Sequence, residues 1–181
     1  MMLRKAVAIL GLLLPTSAFA TDPNVQITWL KTALQMPVEV IVQLNDCPYI
    51  KEHADEAWEE DGETGGFYFS PAKGERVYVV TCDLAASNAF YAAVRHKGKK
   101  ASRLNFPMVN GNGEMEMSPT LGGANPQPNN RLQGGILRGC LGNVATTMSY
   151  QYTNGKFELE KQEANDDCEK PNWQVIFPKK Q

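Results

Sequence analysis

The stretch Met148–Glu160, MSYQYTNGKFELE, leaves a chain few ways to fold. Asn154-Gly155 suits a two-residue type I′ turn, in which both central positions take positive φ. Folding about it pairs Tyr152 with Phe157 and Tyr150 with Leu159, and Met148 falls on the same face. Ser149, Gln151, Thr153, Lys156, Glu158 and Glu160 fall on the other face. A ribbon divided in this way packs its aromatic side on another layer and wets its polar side.

Other segments supply partners for that ribbon. Phe67–Phe69 and Arg76–Cys82 read as strands joined by a turn over Ser70–Gly74. Asn88–Phe106 reads as a hairpin turning at Lys97-Gly98, and Trp173–Phe177 as a last strand. Val38–Leu44 is rich in β-branched residues, so a strand is expected there, with Val38, Val40, Val42 and Leu44 on one face. Ile27–Met36 places Trp29, Leu30, Ala33 and Leu34 on one stripe, which predicts a short helix stopped by Pro37. Pro107–Gly139 is loop-like in its Gly, Asn and Pro content, with a short edge strand at Glu114–Met117. A loop of that length in a compact domain is expected to be functional or mobile. Together these segments predict one mainly β domain, 21–181, of antiparallel hairpins braced by disulfides, with one or two short helices.

The first twenty residues stand apart from that domain. Arg4 and Lys5 precede the apolar run Ala6–Leu14, and Ala18-Phe19-Ala20 places small residues where signal peptidase reads them. The run is shorter than the roughly 20 residues a spanning helix needs. A signal peptide over 1–20 is expected, giving a periplasmic or secreted protein with no membrane anchor after cleavage. Without Arg4 and Lys5 the chain holds 16 basic against 20 acidic side chains, a net charge of −4. That balance provides no basic footprint for nucleic acid.

Cys47, Cys82, Cys140 and Cys168 all follow the leader, and an even number in an exported chain reads as two disulfides. Four cysteines allow three pairings. Cys47–Cys82 and Cys140–Cys168 are favoured because each pair brackets one predicted unit. The spacings are wide, with no C-x-x-C and no paired His, so no metal and no cofactor is expected.

The residues from Arg76 onward also carry a resemblance. A strand ends at Cys82, Gly139 leads into Cys140, and Tyr150-x-Tyr152, Gly155 and Phe157-x-Leu159 form the aromatic hairpin before Cys168. Over roughly residues 76–170 this pattern resembles the secreted proteobacterial proteins of domain of unknown function 1176. Arg138 and Glu169-Lys170 depart from it: the family usually has an acidic residue before the second Cys and Arg-Gly after the last. The resemblance implies export and disulfides, and it implies no activity.

Residue groupings that suggest chemistry also have plainer readings. Gly139-Cys140-Leu141-Gly142 superficially resembles a transpeptidase Cys motif, but Arg138 stands where a small residue or His is needed. The histidines are His53, in an acidic stretch, and His96, near a hairpin turn. Met115 and Met117, near Met108 and His96, could suit copper(I), but read better as packed from one face of a short strand. No catalytic residue is therefore assigned. Glu52, Asp55, Glu56, Glu59, Glu60, Asp61 and Glu63 crowd one segment, either a helical turn or two ending near Gly62 or an exposed acidic loop. It lacks the spacing of a calcium loop. It is instead the expected surface for a cationic envelope protein, in a non-enzymatic binding, inhibitor or immunity protein. The competing expectation is an envelope hydrolase whose carboxylates the sequence does not single out.

Overall fold

The computed structural model describes residues 26–58, 64–139 and 144–178. The expected leader, Cys140, and Glu59, Glu60, Asp61 and Glu63 lie outside the described residues. Five strands, β1 (Thr28–Leu30), β2 (Gly66–Ala72), β3 (Glu75–Ala85), β4 (Asn88–Lys97) and β5 (Lys100–Leu104), lie side by side in chain order, all antiparallel. β6 (Phe106–Val109) and β7 (Met115–Ser118) form a separate hairpin. β8 (Leu121–Gly122) returns to pair with β4 as the sixth member of the first sheet. β9 (Asn125–Gln127), β10 (Arg131–Gly139), β11 (Val144–Thr153), β12 (Lys156–Asn165) and β13 (Gln174–Phe177) make a second antiparallel sheet in the order β13-β12-β11-β10-β9. The fold is mainly β, as the sequence predicts.

The opening hairpin forms in the expected register. Asn154 and Gly155 have φ of 50° and 83°, Tyr152 faces Phe157, and Tyr150 faces Leu159. Their aromatic side meets Phe67, Phe69, Val77, Val79, Tyr91 and Phe106 to form the core between the sheets. Phe157 stacks on Phe106 at 5.0 Å between centroids and meets Tyr152 edge-on at 5.3 Å. Just past this core a bulge opposite Ser149 and Tyr150 leaves Glu160 without a partner residue. The extra residue resets the alternation, which turns Gln162 inward although it is polar. Gln162 is 2 % exposed, and its side-chain amide donates to the Val109 carbonyl and accepts from the Val109 N–H, both at 2.8 Å. The side chain thus bonds β6 as a strand backbone would, and both ends of the buried amide have a partner.

The first sheet is covered on both faces. Val77 and Val79 point to the inter-sheet core, while Tyr78, Val80 and Cys82 point to a second cluster with Leu30, Ala33, Met36, Val40, Leu44, Ile50 and Trp58. This outer layer consists of a 3-10 turn (Ala33–Gln35), α1 (Val38–Val42) and α2 (Pro48–Glu52).

Here three expectations are corrected. Val38–Leu44 is not a strand: Val40 and Leu44 are buried, while Val38 and Val42 are exposed. Ala33, Met36, Val40, Leu44 and Cys47 recur at helical spacing, and that period overrides β-branched propensity. Ile27–Met36 is not a helix. Thr28–Leu30 instead pairs with Tyr68–Gly66, and Trp29 meets Phe67 edge-on at 5.2 Å. Pro107–Gly139 is not a loop, since it contains most of β6 and all of β7, β8, β9 and β10. Its glycines serve contact rather than freedom. A Cβ on Gly122 would sit 2.7 Å from the Gly135 carbonyl oxygen, and one on Gly134 would sit 2.5 Å from Leu121, so the two sheets approach closely there.

Candidate functional surface

Cys47 and Cys82 are joined, as the bracketing argument favours, across 35 positions of sequence. Cys168 is also disulfide-bonded, and its expected partner Cys140 lies outside the described residues. The Cys47–Cys82 bridge ties the helical layer to β3 from within, Cys47 being fully buried and Cys82 nearly so. Arg103 of β5 closes over it. Its Nη1 lies 3.6 Å from the Cys47 sulfur, and its Nη2 lies 3.7 Å from each of the two sulfurs. Nη1 also donates to the Gln43 carbonyl at 3.0 Å and to Asp46 at 3.4 Å, and Nη2 to the Pro119 carbonyl at 3.5 Å. Burial lowers the Arg103 pKa from its ordinary value, and the Asp46 carboxylate partly opposes that shift.

The acidic segment begins where this bridge ends. α2 starts with Pro48 directly after Cys47, a position where the missing N–H costs nothing. Ile50 turns into the core, and His53 receives the end of the helix through its N–H to the Tyr49 carbonyl at 3.0 Å. Of the two expectations for this segment, 53–58 turn without a helix, and the stretch from 59 to Gly62 lies outside the described residues. Glu52, Asp55 and Glu56 are exposed. His53 Nδ1 lies 2.8 Å from Glu56, and its Nε2 lies 4.0 Å from Glu52. The ring also lies against Tyr49 at 4.6 Å.

The segment is anchored midway along its length, at Trp58, and beyond its end, at Gly65. Trp58 is 5 % exposed; its N–H donates to the Lys31 carbonyl at 2.7 Å and its indole to the His53 carbonyl at 3.4 Å. Beyond the end, Thr81 donates to the Gly65 carbonyl from its N–H at 2.8 Å and from its hydroxyl at 3.0 Å. Gly65 has a φ of 136°, a value that suits glycine alone. Thr81, which holds Gly65, is one residue from the cross-linked Cys82.

A second charged cluster escapes the sequence reading. Glu75, at the start of β3, is 6 % exposed, with one oxygen 3.0 Å from Arg95 and 3.5 Å from Lys97. Its other oxygen accepts from the Tyr152 hydroxyl at 2.7 Å, which joins the two sheets. Arg95 holds the Glu75 carboxyl below the usual carboxylate range against the opposing effect of burial. The signal was present in the spacing: Glu75 shares a face with Val77 and Val79, so a charge points inward with the core residues.

The remaining candidates are separate from these. Met115 and Met117 are 51 % and 58 % exposed, so the expectation that they pack from one face is corrected. They lie on β7, which pairs with β6, and it is β6 that packs on β12. His96 contacts Tyr78 edge-on at 6.4 Å. No three His, Cys, Asp or Glu side chains among the described residues are grouped to hold a metal ion. One open groove, of about 390 Å³, runs along Gly123–Asn125, Gln133–Gly135, Leu137 and Thr147 and carries no ionisable side chain. Another, of about 340 Å³, has Arg131 and Glu160, which bond to each other at 3.1 Å.

The molecule is thus a two-sheet β structure with a disulfide-pinned acidic surface. No family model matches the chain, and no curated protein or solved structure is matched either.

Proposed function

We propose that this is an exported, non-enzymatic binding protein of the periplasm or outer envelope. Its acidic segment, from Glu52 to Glu63, engages a cationic protein partner. In its most concrete form the partner is a basic wall-degrading enzyme that the protein inhibits or gives immunity against. The observation that carries this reading is the display of Glu52, Asp55 and Glu56 on a stretch held at both flanks, by the buried disulfide at Cys47 and by the buried, hydrogen-bonded Trp58. A like-charged, exposed surface steers an oppositely charged partner and raises its association rate at low salt. Clamped flanks reduce the ordering cost of binding. The Cys47–Cys82 bridge suits an oxidising compartment.

The test is capture from envelope extract with the oxidised protein, followed by association kinetics on the partner recovered. Replacing Glu52, Asp55 and Glu56 together by lysine is expected to slow association by roughly tenfold or more at low salt. Raising the ionic strength is expected to remove most of that difference. Capture of no protein at low salt, or of one indifferent to the charge reversal, would contradict the reading.

A further inference from the structure

The net negative charge of the chain conceals a local sorting that only the topology produces. The β2–β3, β4–β5 and β11–β12 turns all lie at one end of the two sheets. Glu75 pairs with Lys97 across β3 and β4 and bonds Tyr152 of β11, and a Cβ on Gly155 would sit 2.9 Å from Arg95. That end therefore gathers five lysines from three separate hairpins, Lys73, Lys97, Lys99, Lys100 and Lys156, all exposed. Lys97 is 3.5 Å from Glu75 and Lys156 is 3.0 Å from Glu158. Lys73, Lys99 and Lys100 have no ion-pair partner among the described residues. The acidic segment is tied to the opposite ends of β2 and β3, through Gly65 and Thr81. The charge is thus divided between two ends.

Beside the lysine end lies an aliphatic pair. Val38 and Val42, one turn apart on α1, are 68 % and 57 % exposed. They line an open groove of about 440 Å³ with Lys99, Lys100, Ala101, Gln43 and Glu39. Aliphatic side chains left in water next to unpaired ammonium groups make an amphipathic edge. We propose that this end docks peripherally on an anionic lipid surface, with the lysines at the headgroup phosphates and Val38 and Val42 in the interfacial layer. Charge complementarity selects an anionic partner, since each lysine near such a surface adds attraction that salt screens. The valines select lipid over a soluble polyanion, which offers nothing to an aliphatic group. Lysines on the tips of three separate hairpins form a presenting surface rather than a cradle, which suits a bilayer better than a single phosphate. The contact is peripheral: no described helix is long and apolar enough to cross a membrane.

The test is co-sedimentation of the mature, oxidised protein with vesicles containing phosphatidylglycerol, against vesicles of phosphatidylcholine alone. Binding to the anionic vesicles only is expected, weakening by at least about tenfold from low to high salt. Reversing Lys73, Lys99 and Lys100 to glutamate is expected to abolish it. Replacing Val38 and Val42 by serine is expected to weaken it several-fold at fixed salt, by removing aliphatic insertion. All five positions are exposed, so circular dichroism should show native folds. The charge reversal of Glu52, Asp55 and Glu56 should leave vesicle binding in place, which separates this inference from the partner-binding reading. Absence of anionic-vesicle binding would overturn it. So would insensitivity to the valine changes combined with equally tight binding of soluble polyphosphate, which would mark a polyanion site instead.

Discussion

Replacing Cys47 and Cys82 together by alanine is expected to lower unfolding stability by about 3–4 kcal/mol, read from the guanidinium midpoint. The bridge closes a loop with a sequence separation of 35, and the chain-entropy argument assigns that order of stabilisation to a loop of this size. The native-state loss adds to the effect. Both sulfurs are buried at the seam between the helical layer and β3, and Arg103 rests on them while bonding Gln43, Asp46 and Pro119. Without the bridge, α1 and α2 are held to the sheet by the Arg103 bonds to Gln43 and Asp46 and by apolar contact through Val40, Leu44 and Ile50, with no covalent tie. Hydrogen exchange should accordingly rise first in 38–58, ahead of the inter-sheet core, because local opening follows the least-anchored unit. A variant as stable as the parent, or one whose exchange rises uniformly, would show that the outer layer does not depend on the bridge.

Glu75→Ala is expected to cost about 2–3 kcal/mol. Removing one member of a buried ion pair costs about 3–5 kcal/mol when its partner is left buried, but Arg95 is one-third exposed and regains some hydration. Tyr152 also loses the acceptor for a hydroxyl that sits at the inter-sheet seam. The pH dependence distinguishes the carboxylate from mere packing. The folded-state pKa of Glu75 lies below the ordinary value of 4.5, so the folded protein binds this proton less readily than the unfolded chain. Its stabilisation is therefore fully present above about pH 4.5 and is lost as pH falls through the lowered folded-state value. Glu75→Gln should keep the shape and part of the hydrogen bonding, yet flatten that acid limb of the stability profile. An acid limb identical to the parent's would assign the pH dependence to other carboxylates.

The parts of this fold legible in sequence are those where local chemistry and burial agree. Asn154-Gly155 announces its turn, and the alternation on either side of it matches the core that Tyr150, Tyr152, Phe157 and Leu159 enter. The hairpin of β4 and β5 is also recovered, turning one residue later than expected, at Gly98-Lys99 between Lys97 and Lys100. The failures arise where tertiary contact outweighs propensity. Val38–Val42 is β-branched at every position but Glu39, yet the buried period through Ala33, Met36, Val40, Leu44 and Cys47 is helical. Met36 and Pro37 conceal that period by breaking the segment into two. In 107–139, the Gly and Asn residues resemble loop punctuation, yet Gly122 and Gly134 lie within strands where the sheets come too close for a side chain. Composition does not distinguish a glycine needed for a turn from one needed for close contact.

The candidate site divides in the same way. Glu52, Asp55 and Glu56 fall within one short stretch of sequence, so their shared surface is visible there. Glu75, Arg95 and Tyr152 are far apart and meet only across the two sheets. The lysine end is concealed for the same reason: its members come from three hairpins, and a net charge summed along the chain cancels them against the acidic segment.

The central claim is that sulfur in this protein serves as cross-linking that holds a passive binding scaffold, and not as a nucleophile. It is tested most directly by alkylating the natively exported protein under denaturing, non-reducing conditions and mapping the label by mass. The account predicts no labelled cysteine, with peptides joined as Cys47–Cys82 and Cys140–Cys168. A labelled, readily alkylated thiol at Cys140 would contradict it.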